Sequence, residues 1–149
     1  ADRADLVESV ALEAFVRLAV EVRDECAAAA ATAADPPAAK LDAMGRAYIR
    51  FALQNPTEFR MMFAGGRRRV LPPSTPSAYD QLLALLDELD AAGRLRRSRD
   101  ETALVCWSTV HGAACLLVDQ GLTDYTSADP EGVAQLVVGH LVGSVTEPP

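Results

Sequence analysis

The sequence predicts an all-α fold, and three observations carry that prediction. Among its 149 residues are 27 Ala and a single Ile, a bias towards helix formers and away from β-branched strand formers other than Val. Apolar residues recur at helical spacing with no strand-like alternation. Polar-Pro pairs recur at Asp35-Pro36, Asn55-Pro56, Thr75-Pro76 and Asp129-Pro130. Proline is favoured at the first helical position, where no N–H partner is lost, and the polar residue before it can cap. Asn55 with Glu58, and Ser98 with Glu101, add capping-box spacing. Gly65, Gly93 and Gly121 stand where helix ends are expected.

Six helices follow. The first covers about 5–32, with Val7, Ala11, Phe15, Leu18, Val22 and Cys26 on one stripe and Glu13, Arg17, Glu21 and Asp24 on the other face. The second runs over about 36–53 and a short third over 56–63. The fourth covers about 76–92, with Tyr79, Leu82, Leu83, Leu86 and Leu89 inward. The fifth spans about 99–120 and the sixth about 130–145. No repeat or linker divides the chain, so residues 1–149 read as a single helical domain.

Composition narrows the function classes. Lys and Arg total 14 against 21 Asp and Glu, a net charge of −7. A duplex-binding protein needs basic groups to displace counterions from phosphate, so this chain alone is a poor DNA binder. The Arg67–Arg69 and Arg94–Arg99 runs are read as solvated loops. No apolar run approaches the ~20 residues of a membrane span, the longest uncharged stretch, Thr102–Val118, being broken by Ser108, Thr109 and His111, and charged residues interrupt the start where a signal peptide would be apolar. Three cysteines without an export signal point to reduced thiols and a cytoplasmic location. Residue 1 is Ala and the first Met is Met44, so an upstream segment is expected.

The last two helices differ from the first. Ser108, Thr109 and His111 are the only polar side chains across 103–118, and Gln135, His140 and Ser144 the only ones across 133–145. A helix apolar all round is buried on more than one side. In one small domain the economical solution is a two-fold dimer, with one face of each helix packed inward and another on its symmetry mate. Gly112, Gly139 and Gly143 allow close approach there, and Leu116, Leu136 and His140 complete the expected interface. A monomer with a buried C-terminal hairpin is the competing reading.

Enzymatic constellations are sparse. There is no phosphate loop, and no Glu stands three residues before either His, which argues against a dimetal site. Ser108 and His111 lie one turn apart without an evident acidic partner. His111 and Cys115 are two metal ligands where zinc needs three or four, so no metal or other cofactor is expected. Trp107 and His111 share one face of a buried helix, and both need polar partners when enclosed. With Phe15, Met44, Tyr48, Phe59 and Met62 they are read as lining a pocket for a small, mostly apolar ligand, Tyr48 and His111 supplying the polar contacts. The same pattern describes a plain core, and periodicity does not separate the two.

The string Gly45-Arg46-Ala47-Tyr48-Ile49-Arg50-Phe51-Ala52-Leu53, followed by Asn55-Pro56 and Phe59-Arg60-Met61-Met62-Phe63, resembles the regulatory domain of tetracycline-repressor-type (TetR) transcription factors. Trp107-Ser108-Thr109-Val110-His111-Gly112 resembles the Trp/His-Gly signature of one C-terminal domain class in that family. The opening Asp2-Arg3-Ala4-Asp5-Leu6 is similar to the mixed-charge segment that follows the family's recognition helix. The resemblance implies an effector pocket among the early helices and a homodimer through a four-helix interface of the last two. It also implies an N-terminal helix-turn-helix, missing from this sequence, through which alone DNA would be contacted. The expected function is the effector-binding and dimerisation part of a one-component regulator, usually a repressor. A purely structural helical dimerisation module is the alternative, and an enzyme ranks third.

Overall fold

The computed structural model describes residues 3–64, 71, 75–120 and 129–148, and these form six helices and no β-strand. They are α1 (Arg3–Thr32), α2 (Pro36–Gln54), α3 (Pro56–Phe63), α4 (Ala78–Ala91), α5 (Arg99–Val118) and α6 (Pro130–Val145). The all-α expectation holds, and α3 and α6 begin and end where the sequence places them. Gly65, Arg67–Arg69 and Gly121 lie outside the described residues.

Local chemistry explains most boundaries. Asp35 caps α2 by accepting from the Ala38 N–H at 3.3 Å, and Asp129 caps α6 by accepting from the Gly132 N–H at 2.7 Å. Ser98 and Glu101 form the expected capping box on α5. Gly93 ends α4 in the left-handed region (φ 66°), with the Gly93 N–H on the Asp90 carbonyl and the Arg94 N–H on the Leu89 carbonyl, the paired bonds of a Schellman ending.

Two caps differ from expectation. Asn55 makes no side-chain cap to α3; its amide donates to the Phe51 carbonyl at 3.0 Å. Glu58, the expected box partner, is drawn instead into an ion pair with Arg17 of α1. Helix α4 starts two residues later than the Thr75-Pro76 reading, because Ser77 and Asp80 make a capping box there. A reciprocal pair of bonds outweighs a proline signal.

Helix α2 is the central element, packing on α1, α3, α4, α5 and α6. Ile49, Phe51 and Ala52 are fully buried on it. From α1 the core takes Ala11, Ala14, Leu18, Ala19 and Val22, close to the expected stripe, and from α4 it takes Leu82, Leu85, Leu86 and Leu89. Gly45 lets α6 lie close against α2: a Cβ there would stand 2.9 and 3.0 Å from the two methyls of Val138. Beyond α4, the chain pairs with the end of α6. Arg94 grips both carboxylate oxygens of Asp35 at 2.7 Å, the Glu147 N–H reaches the Arg94 carbonyl, and Leu95 bridges Thr146.

Helix α5 is long and apolar enough to cross a membrane by length and composition alone. In the fold it packs on α2, α4 and α6.

Candidate functional site

Tyr48 on α2, which is buried, meets the partly buried Trp107 and His111 on α5. The Tyr48 hydroxyl is 2.9 Å from His111 Nδ1, and the Trp107 and His111 rings stack 5.8 Å apart within 8° of parallel. Phe59 and Phe63 of α3 close the other side of the imidazole, with ring centroids 5.7 and 4.5 Å away. Phe15 of α1 meets Phe63 edge-on at 5.4 Å, and Tyr79 of α4 meets Trp107 at 5.1 Å. This cluster joins five of the six helices. Such edge and offset contacts add about 0.5–1.5 kcal/mol each beyond simple burial.

Burial sets the protonation states. It holds His111 below the usual histidine range and raises Tyr48 well above the usual tyrosine range, so both are neutral at pH 7. A neutral imidazole has one N–H for two neighbours, so His111 donates from one nitrogen and accepts at the other. Its second neighbour is Cys115, with Sγ 3.6 Å from Nε2.

Beside Tyr48 and Trp107 lies an apolar cavity of about 30 Å³. Met44 and Gly45 of α2, Leu82 of α4, Val110 of α5 and Leu141 of α6 share its wall with them, and no charged residue among the described ones does. Of the seven residues singled out from sequence, Met44, Tyr48 and Trp107 reach this cavity. His111, Phe59 and Phe15 belong to the adjoining aromatic cluster, and Met62 is buried in the core at 1% exposure. Sequence reasoning missed Gly45 and Leu82 as wall residues. Leu82 was read as inward, but facing a cavity instead of solid packing carries no sequence signal.

The expected interface residues occupy a different surface. Leu136 is 71% exposed and Leu116 48%, and Gly139, His140 and Gly143 are exposed as well. Gly112 is partly exposed, and a Cβ on Gly112, Gly139 or Gly143 would meet nothing within 4 Å. Leu104, 67% exposed, and Val105 extend the apolar surface along α5.

A family model described as "Tetracyclin repressor-like, C-terminal domain" matches residues 41–141, more than half of the chain. None of the curated proteins matches. A solved structure from Rhodococcus sp. RHA1, described as a protein with unknown function, superposes with a TM-score of 0.79 over 98% of this chain and 74% of that one. At 22% identity that likeness shows the shared fold. Since the family match spans both Tyr48 and the Trp107–Gly112 string, the chain belongs to the tetracycline repressor-like C-terminal domain family.

Proposed function

We propose that this chain is the effector-binding and dimerisation part of a TetR-type transcriptional regulator, acting as a repressor, and has no catalytic role. DNA would be contacted only by a separate helix-turn-helix segment, and the partners of this part are a second copy of itself and a small, mostly apolar molecule. The observation that carries the reading is the uncharged cavity walled by Tyr48 and Trp107, with the Tyr48–His111 hydrogen bond beside it. A cavity wall without charge suits a neutral apolar ligand, and one hydrogen-bonded pair at its edge can orient it.

The route of the signal follows the rings. A ligand that turns Tyr48 or Trp107 bears on His111, which rests on Phe63, which rests on Phe15 of α1. No described side chain of α1 lines the cavity, so its motion would be driven through α3. In a dimer, tilting two α1 helices changes the separation of two DNA-reading helices from about 34 Å, one turn of duplex. The ligand shifts that balance only by its differential affinity for the two forms.

The uncharged surface of α5 and α6 supports pairing. From Thr102 to Val118 and from Val133 to Val145 no charged side chain occurs, although the chain as a whole carries −7. A second reading, a structural dimerisation module without effector, is favoured by the small volume of the cavity. About 30 Å³ holds a water or two, so an organic ligand has to displace side chains.

A thermal-shift screen of neutral hydrophobic compounds separates the two. A ligand at 100 times its dissociation constant stabilises the fold by about 2.7 kcal/mol. Trp107→Ala and His111→Ala are expected to abolish that shift while leaving the dimer intact. Silence across the screen supports the structural module, and loss of the dimer instead would place the pair in the interface.

A further inference from the structure

The three cysteines stand in different surroundings. Cys106 is buried at 2% exposure, and Cys26, partly buried, donates its thiol to the Lys40 carbonyl at 3.4 Å. Cys115 is partly exposed, and its sulfur lies 3.6 Å from Nε2 of His111. The other ring nitrogen of His111 lies 2.9 Å from the Tyr48 hydroxyl. A nucleophile, a base within hydrogen-bond reach and a third group that orients the base form the constellation by which thiols are activated. Cys115 takes no part in the cavity wall, so the proposed effector site does not account for it.

We propose that Cys115 is a covalent modification site for soft carbon electrophiles of the α,β-unsaturated carbonyl class, with His111 as its base and Tyr48 as the residue positioning that base. In the step, the Cys115 S–H bond breaks and its proton passes to Nε2 of His111. The sulfur electron pair forms an S–C bond at the β-carbon, and the π pair moves onto the carbonyl to give an enolate. The imidazolium then returns the proton to the α-carbon. The result is a net addition with no leaving group and no change of oxidant or reductant.

The surroundings fit each role. Burial, with Asp119 adding to it, holds the thiol above its usual range, so Cys115 rests protonated and depends on a base. Burial keeps His111 neutral and able to accept. For Nε2 to accept, the single N–H sits on Nδ1 and donates to the Tyr48 oxygen. The rings of Phe59, Phe63 and Trp107 surround the imidazole and favour an uncharged organic molecule over a hydrophilic one. Asp119, the acidic group one turn beyond Cys115, is engaged by Arg60 of α3 at 2.8 Å.

N-ethylmaleimide, a neutral reagent of this class, provides the test on the full chain, with site-resolved mass spectrometry following Cys115 and Cys26 in the same molecules. At pH 7 Cys115 is expected to react at least about tenfold faster than Cys26, whose burial pushes its thiol up to about 11. The Cys115 rate should already be level from about pH 6.5 to 8, because burial holds the imidazole below the ordinary histidine range, while the Cys26 rate climbs about tenfold per pH unit. His111→Gln should slow Cys115 about 100-fold and leave Cys26 unchanged. Tyr48→Phe, which removes only the hydroxyl, should slow Cys115 less. A Cys115 rate in the unaltered chain that climbs with pH as Cys26 does overturns the proposal without any variant. So does a folded His111→Gln chain that is alkylated at Cys115 at the unaltered rate.

Discussion

Replacing Leu136 by Asp should split the proposed dimer and leave the fold intact. Leu136 is 71% exposed in one copy, so its side chain contributes little to the packing of that copy. Full burial of a leucine side chain is worth about 1.5–3 kcal/mol, and most of that remains to be gained when a second copy covers it. Two-fold symmetry counts the residue twice, so about 2–4 kcal/mol per dimer rests on this position. That is roughly 30- to 1,000-fold in the dissociation constant, before any cost of burying the new carboxylates. Sedimentation equilibrium over a concentration series measures the change, and far-ultraviolet circular dichroism confirms unchanged helix content. A Leu136→Asp chain that sediments as the unaltered one does, whether both pair or neither does, would refute the assignment of this face to self-association.

Three other outcomes follow from the geometry. Gly45→Ala gains about 0.5–1 kcal/mol of helix propensity but drives a methyl into Val138, at an overpacking cost of about 1–3 kcal/mol. Urea unfolding should show net destabilisation, partly relieved by Val138→Ala. A more stable Gly45→Ala chain would mean that α6 shifts freely on α2. Asp35→Asn keeps the cap but loses the charged pairing with Arg94, which holds Asp35 below the ordinary aspartate range. The pairing stabilises above about pH 4 and is lost as pH falls through the depressed value. The melting-temperature gap between Asp35→Asn and the unaltered chain should therefore be constant from pH 5 to 8 and close in acid. Ser77→Ala removes one half of the α4 capping box and should cost about 1 kcal/mol in the same urea assay, and no effect would place the start of α4 elsewhere.

The helices were legible because their ends are set by short-range chemistry. Asp35, Ser98 and Asp129 cap as their spacing predicts, and Gly93 takes the left-handed position that ends α4. Where a cap failed, a distant residue intervened: Arg17 of α1 takes the Glu58 carboxylate that Asn55 needed for a box. Such competition depends on tertiary proximity and leaves no local trace. At the end of α5 the left-handed position falls on Gln120 (φ 57°), one residue ahead of the expected Gly121.

The site was legible in part for the same reason. Trp107 and His111, four apart on α5, had to share a face, and the stacked rings are that spacing made visible. That Tyr48 would meet His111, and that Cys115 would meet its other nitrogen, required the register of α2 against α5. Gly45 contributes to that register by letting α6 close on α2, with Val110 of α5 also within 3.5 Å of where a Cβ would stand. A glycine inside a helix with two neighbouring helices against it permits one separation and resists others. The wall of the cavity, the ring cluster and the hydrogen-bonded chain from Tyr48 to Cys115 all assemble around α2. A ligand, an electrophile or a methyl at residue 45 therefore acts on one mechanical element, and the Gly45→Ala chain should alter maleimide capture at Cys115 only if α5 moves together with α6.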